Sequence, residues 1–186
     1  MKLIKFFILT LTILSITLIS ACGSNPLSST DYTGKWYAID SDGRISKLII
    51  QKQGETYLVT HKNYYFESQF DLDSHTFDHT IDFNTKERTY LENNVVTIKD
   101  NILELDEGRA GKGTLIYKDG KFTGKPNRGY SESLTFEKDT QNNPKAIYDK
   151  AKKQLEKYMS TKEVPQDPKL FHYYDNKEIV NDFLNQ

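Results

Sequence analysis

Apolar and polar residues alternate in short runs between residues 32 and 137, and turn-forming residues separate the runs. In the clearest run, Tyr130, Leu134 and Phe136 fall on one side, and serine and threonine fall on the other. This period of two is typical of half-buried strands. Turn signals recur about every 8–12 residues, a spacing that indicates an antiparallel meander or a barrel.

The turns between these runs have residue types that tolerate positive φ. Asp-Gly accepts the two positive φ angles of a type I′ turn and is therefore a strong hairpin signal. The predicted turns are Asp42-Gly43, Gly54, Asp100-Asn101 and Asp119-Gly120. Glycines in the segment 108–113 indicate a wide turn or bulge between two further strands.

The last part of the chain changes to helical spacing. Asn143 and Pro144 predict a helix start, with Asn143 as the N-cap and Pro144 in the first turn. One apolar stripe follows, made of Ile147, Ala151, Leu155, Tyr158 and Met159. Its polar face is rich in lysine, which suits either solvent or anionic lipid headgroups.

A second, shorter helix is predicted at the end of the chain. Asp175 with Glu178 three residues later is typical of a capping box. Its buried face comprises Ile179, Val180, Phe183 and Leu184. The fold class is therefore mainly β: an antiparallel meander or β-barrel over residues 32–139, and a helical segment over residues 140–186 that packs on it.

The first 21 residues have the pattern of a signal peptide. Lys2 and Lys5 precede an uncharged apolar run that ends near Ser20. This run is shorter than the roughly 20 residues that a bilayer span needs. The segment Ile19-Ser20-Ala21-Cys22 resembles the lipobox of bacterial lipoproteins. The resemblance implies cleavage before Cys22, and lipidation of its thiol with a diacylglyceryl group that carries chains such as palmitate.

The lipid anchor implied at Cys22 sets the compartment and the partners. Each buried methylene of an acyl chain contributes about 0.8 kcal/mol, so two or three chains hold a protein on a membrane. Residues 22–31 are small and polar, which is typical of a flexible tether. The known sorting rule for enteric lipoproteins places a chain with Gly23 and Ser24 after the cysteine in the outer membrane. We therefore expect the cell envelope, and the outer membrane in an organism that has one.

Charge and sulfur content narrow the function classes. The leader carries two of the 25 basic residues and none of the 26 acidic ones, so the remaining chain has 23 basic and 26 acidic residues, a charge of −3. This near balance does not favour nucleic acid as a partner. Cys22 is the only cysteine, so its lipidation leaves no thiol for a disulfide, a metal or catalysis.

The segment Gly34-Lys35-Trp36-Tyr37 opens the first predicted strand and resembles the Gly-x-Trp motif of lipocalins. The resemblance implies an eight-stranded calycin-type barrel closed at its bottom by Trp36, with Gly34 beside it and a helix outside. It also implies an arginine that covers the tryptophan, and Arg128 lies at the start of the last predicted strand. Without homology, Trp36 is a core aromatic residue of a β-sheet.

Two segments contain residue types that can carry chemistry. Six acids and histidines, Asp71, Asp73, His75, Asp78, His79 and Asp82, have ligand types suited to a divalent metal. On a strand, however, residues four apart stand about 13 Å from each other, too far to share one zinc. We favour a solvated acidic segment and expect no metal site. The glycine-rich segment 108–114 lacks the spacing of a phosphate loop.

No nucleophile elbow or catalytic pair is evident, so we expect neither an enzyme nor a cofactor. Two function classes remain. One is a binding protein that holds a small apolar or amphipathic ligand inside the barrel, in a cavity of roughly 300 Å³ or more. The other is an envelope interaction protein (an inhibitor, immunity or assembly factor) that binds a macromolecule through loops and tyrosine clusters such as Tyr173-Tyr174.

Overall fold

The computed structural model describes residues 30–69, 81–161 and 167–185. The predicted signal peptide and Cys22 fall within residues 1–29, which lie outside the described residues. The compact unit from Thr33 to Gln186 contains all strands and helices below. The strands are β1 Gly34–Ile39, β2 Ile45–Gln53, β3 Thr56–Gln69, β4 Ile81–Val96, β5 Ile98–Lys99, β6 Ile102–Asp106, β7 Lys112–Lys118, β8 Lys121–Lys125, β9 Leu134–Lys138 and β10 Phe171–Tyr174. The helices are α1 Pro144–Ser160 and α2 Lys177–Asn185.

All ten strands form one sheet, in the order β10-β4-β3-β2-β1-β9-β8-β7-β6-β5. Neighbouring strands are antiparallel except β10, which pairs in parallel with β4. The mainly β fold with C-terminal helices is therefore confirmed. Among the described strands, β5 and β10 are the two edges and do not pair with each other, so the sheet is open and the expected closed barrel is wrong.

The predicted turns lie where the sequence placed them. Gly43 joins β1 to β2, and Gly54 joins β2 to β3, both with positive φ. The backbone φ angles of the two-residue turns are +52° and +65° at Asp100-Asn101, and +51° and +80° at Asp119-Gly120. Two successive positive φ angles are the signature of a type I′ hairpin turn.

Helix α1 begins as its sequence predicts. The side-chain oxygen of Asn143 accepts a hydrogen bond from the backbone N–H of Ala146 at 3.1 Å, with Pro144 in the first turn. The N-cap of α2 is Asn176 rather than Asp175, because the Asn176 side chain accepts the bonds from the first turn. Among the described helices, none is both long enough and apolar enough to cross a membrane.

The sheet buries apolar side chains on both of its faces. One face, the inner face, includes Trp36 and His61, and the bond from His61 on β3 to Glu107 after β6 crosses it. The most buried side chains of this inner face are Trp36, Leu48, Ile50, Leu103, Leu105, Leu115, Phe122 and Phe136. The opposite face of β1 to β4 packs against the helices through Tyr37, Ile45, Tyr64, Tyr148, Ala151 and Phe183.

Candidate functional site: a groove beside helix α1

A groove of about 420 Å³ lies where helix α1 meets strands β1 and β9. Apolar side chains form part of its wall, and the connection from β9 to α1 crosses one end. The apolar lining comprises Ala38, Ile39, Ala146 and Ile147, and the polar lining includes Lys150 and Gln154. Most of the other lining residues are polar or charged, so the groove combines a small apolar wall with many polar groups.

Tyr37 forms the inner wall of this groove. The strand period turns its ring toward the helices, where it packs edge-on against Phe183 with ring centroids 5.8 Å apart. The residue is only 5% exposed, and its buried hydroxyl has no hydrogen-bond partner. Burial, reinforced by the nearby charge of Asp139, raises the pKa of the Tyr37 hydroxyl well above its usual value. The hydroxyl therefore keeps its proton and remains a hydrogen-bond donor at physiological pH.

Asp139 follows β9 directly and lines the same groove. Its backbone N–H donates to the Lys35 carbonyl at 2.9 Å, which extends the pairing of β9 with β1 by one residue. One carboxylate oxygen, Oδ1, accepts a bond from the Asn143 N–H at 3.2 Å. The other oxygen, Oδ2, is buried and has no partner.

The groove therefore holds one buried donor and one buried acceptor that the protein leaves unpaired. An unsatisfied buried polar group costs about 1–3 kcal/mol, so a group that pairs with both atoms gains affinity. A hydroxyl has both functions that such a pair requires, because its oxygen accepts and its hydrogen donates. An amide also has both functions.

Gly34 and Trp36, the residues of the predicted barrel-closing motif, lie in β1 beside the groove but do not line it. Trp36 is 1% exposed and contacts Phe122 edge-on at 5.0 Å between ring centroids. The ammonium of Lys138, at the end of β9, lies 5.6 Å from the centre of the Trp36 ring. Gly34 has φ of +124°, and a Cβ there would meet the Lys138 side chain at 2.8 Å. Glycine thus leaves room for this lysine.

The acidic and histidine-rich segment is mostly beyond what the structure describes. Its first five members, Asp71, Asp73, His75, Asp78 and His79, lie outside the described residues. The sixth, Asp82, has a carboxylate oxygen 3.7 Å from Nδ1 of His172 on β10. Within the described ranges, no three His, Cys, Asp or Glu side chains are grouped as a metal site would require.

The fold also brings together a serine, a histidine and an acid that sequence reasoning did not connect. Ser46 Oγ lies 2.7 Å from Nε2 of His61, and the Nδ1 of His61 bonds to the carboxylate of Glu107. The order resembles a nucleophilic triad, but Ser46 is 1% exposed and the Tyr130 hydroxyl lies 3.4 Å from it. The group fastens β3 to the turn after β6. The Ser46 oxygen is therefore buried in this structure, not presented at a surface.

Tyr37 and Asp139 were also missed by sequence reasoning. In the sequence, Tyr37 is recognisable only as a strand tyrosine directly after the Gly-x-Trp motif. Asp139 is recognisable only as an acid shortly before a helix cap. Nothing in either pattern shows that both polar groups lack a partner. Comparisons of the chain with protein-family models, with curated proteins and with solved structures found no match.

Proposed function

We propose that this protein is a lipid-anchored binding protein of the cell envelope, and that it takes a small amphipathic ligand in the groove beside α1. The observation that carries the proposal is the pair of buried, unpartnered polar atoms in this groove, Tyr37 OH and Asp139 Oδ2. A ligand that pairs with both recovers the free energy that their desolvation costs.

The lining of the groove defines the ligand class. The polar end requires a hydroxyl or an amide between the two atoms, and the wall formed by Ala38, Ile39 and Ile147 suits a short apolar portion. A volume of about 420 Å³ is within the usual range for small-molecule sites. We therefore propose a hydroxylated amphiphile of modest size.

The groove is a better ligand site than the inner face of the sheet, which includes Trp36. The interior positions are filled by large side chains such as Trp36, Phe122 and Phe136, each at most 1% exposed. A hollow calycin barrel needs smaller residues at such positions. The cation over Trp36 is Lys138 and not the arginine that the lipocalin resemblance implies.

The alternative, an interaction protein that binds through tyrosine clusters, has less support. Tyr64 is 1% exposed and packs on Phe183, so it belongs to the core. Tyr173 stacks on Phe83 with ring centroids 5.6 Å apart. Of these clustered tyrosines, Tyr174 is the one with a largely exposed side chain, at 53%. One exposed tyrosine provides little contact area for a macromolecular partner.

Octyl glucoside, kept below its micelle-forming concentration, is a suitable probe because it joins a hydroxylated head to a short alkyl chain. Isothermal titration calorimetry of the mature protein should show saturable binding. Tyr37→Phe, which keeps the ring, and Asp139→Asn should each weaken binding about tenfold. Tyr174→Phe is the matched control and should bind as the wild type does. Equal affinities in all four proteins, or no saturation, would rule out the groove as this site.

The anchor has a separate test. Cells that express the wild type and Cys22→Ala are fed a palmitate analogue, and the label on the protein is measured. We expect label on the wild type only, because the thioether at Cys22 is the first step of lipidation. A labelled Cys22→Ala variant, or an unlabelled wild type with a different amino terminus, contradicts the anchoring proposal without affecting the groove.

A further inference from the structure

Another cavity, of about 170 Å³, lies over strands β3 and β4 and the residue before β2, and shares no residue with the groove. Register explains why its residues converge: Asn63 on β3 is paired with Ser46 on β2 and with Arg88 on β4, so all three occupy one row on one face. Its lining consists of Arg44, Asn63, Tyr65, Arg88 and Tyr90.

This small cavity has a positive lining. Two of its five residues are arginines and none is an acid. The guanidinium of Arg88 lies 4.8 Å from the centre of the Tyr90 ring. Stacking on the ring leaves the N–H groups at the edge of the guanidinium free to bind an anion.

Arg44, the other guanidinium, is held by two acids outside the cavity. Its Nε lies 3.8 Å from Asp40 and one terminal nitrogen lies 3.6 Å from Asp42. Burial and the neighbouring Asp42 raise the pKa of Asp40 to about 8, so at neutral pH the two acids together carry less than their full charge. Arg44 and Arg88 are the two charged side chains that line the cavity.

The floor of the cavity is fixed by a buried hydrogen-bond network. The Asn63 amide donates to the Tyr130 hydroxyl at 2.6 Å. Tyr90, which forms a wall, stacks on the fully buried ring of His61 with centroids 5.4 Å apart and an interplanar angle of 23°. Because His61 is in turn bonded to Ser46 and Glu107, the polar atoms of the floor are already ordered before a ligand binds.

We propose that this cavity binds a small oxyanion, a phosphate or carboxylate group, between Arg44 and Arg88. The planar fork of an arginine matches two oxygens of such a group, and charge-assisted bonds of this kind are about twice as strong as neutral ones. The volume accommodates the anionic group itself and little more. The site is independent of the groove and of the ligand proposed there.

The test is calorimetric titration of the mature protein at low ionic strength with three probes: inorganic phosphate, glycerol phosphate and acetate. Arg88 is exposed, so Arg88→Gln should fold normally. We expect saturable binding by the wild type and a loss of about tenfold or more in Arg88→Gln. Arg109→Gln, which removes an equally exposed arginine outside the cavity, is the matched control and should retain binding.

The three probes separate the sources of the anion. Tighter binding of glycerol phosphate than of inorganic phosphate identifies the phosphate ester of a larger molecule, the reverse order identifies the free ion, and preference for acetate identifies a carboxylate. Tyr37→Phe should bind all three as the wild type does, which distinguishes this site from the groove. The proposal is overturned if no probe saturates, or if Arg88→Gln and Arg109→Gln weaken binding equally, which indicates general charge attraction only.

Discussion

Replacement of Lys47 by methionine should stabilise the protein at neutral pH. Lys47 lies on β2, has no exposed surface, and points toward the helices. Its ammonium lies 5.4 Å from the centre of the Phe183 ring, 5.7 Å from Tyr37 and 6.0 Å from Tyr64. Burial, with smaller repulsion from other lysines, lowers the pKa of Lys47 from 10.5 to about 8.

The magnitude follows from this pKa. Because the pKa of Lys47 falls from 10.5 to about 8, the charged form costs roughly 3 kcal/mol in the folded state, relative to the unfolded chain. Methionine has a similar length and no charge, so the variant avoids this cost. It also loses the attraction between the ammonium and three rings, at about 0.5 kcal/mol each for weak pairs. The net gain is about 2 kcal/mol, or roughly 4–8 °C in Tm for a chain of this size.

The lowered pKa of Lys47 also predicts how the stability of the wild type depends on pH. Between pH 8 and 10.5 the unfolded chain holds the lysine proton and the folded chain has lost it, so the free energy of unfolding rises with pH. From pH 8 to 10 the rise should be about 2 kcal/mol. Above pH 10 stability should fall, because buried tyrosines such as Tyr64 have raised pKa values and ionise only after unfolding.

Urea unfolding, followed by circular dichroism from pH 7 to pH 11, provides the measurement. The wild type should gain stability between pH 8 and 10, and Lys47→Met should lack this gain. Lys153→Met, at an exposed position of α1, is the control for the loss of a lysine and should behave as the wild type does. If Lys47→Met is less stable at pH 7, or both curves are parallel, the buried ammonium does not carry the cost assigned to it.

Three further substitutions test how the helices are held on the sheet. Phe183→Ala should cost about 3–5 kcal/mol, because this fully buried ring joins α2 to the sheet, and urea unfolding measures the loss. Gly43→Ala should cost about 1–3 kcal/mol by the same assay, since the residue has φ of +85° and a Cβ would lie 2.7 Å from the Ala151 carbonyl and 2.9 Å from Leu155. Asn143→Ala should lower the stability by about 1 kcal/mol through loss of the helix cap, and Asn143→Asp, which keeps an acceptor, should restore it.

Local features of the fold could be read from the sequence. Asp-Gly and Asp-Asn pairs have few alternatives to a tight turn, and the φ angles of Asp100-Asn101 and Asp119-Gly120 have the signs that a type I′ turn requires. The start of α1 depends only on Asn143 and Pro144, which are adjacent to the helix that they begin. In each of these cases, the residues that determine the structure lie within a few positions of one another.

Features that depend on distant residues could not be read in this way. Strand β10 pairs in parallel with β4, about ninety positions earlier, so no short-range pattern separates it from the helices around it. The candidate groove depends on Tyr37 and Asp139, about a hundred positions apart. Sequence period places Tyr37 on a strand, but only the packed structure shows that its hydroxyl and the Asp139 Oδ2 remain without partners.

The location of the proposed ligand sites depends on which parts of the central strands are packed against other side chains. Leu48 and Ile50 of β2 lie on the inner face, and Ile45 lies on the face that packs against the helices. All three are buried. Because side chains pack against both faces of β2, a ligand has no space beside the middle of this strand. The groove lies at the edge of α1, and the small cavity lies near the row through Asn63, where polar side chains replace apolar ones. Both sites therefore have polar floors, and we expect ligands to be selected by hydrogen bonds and charge more than by apolar volume.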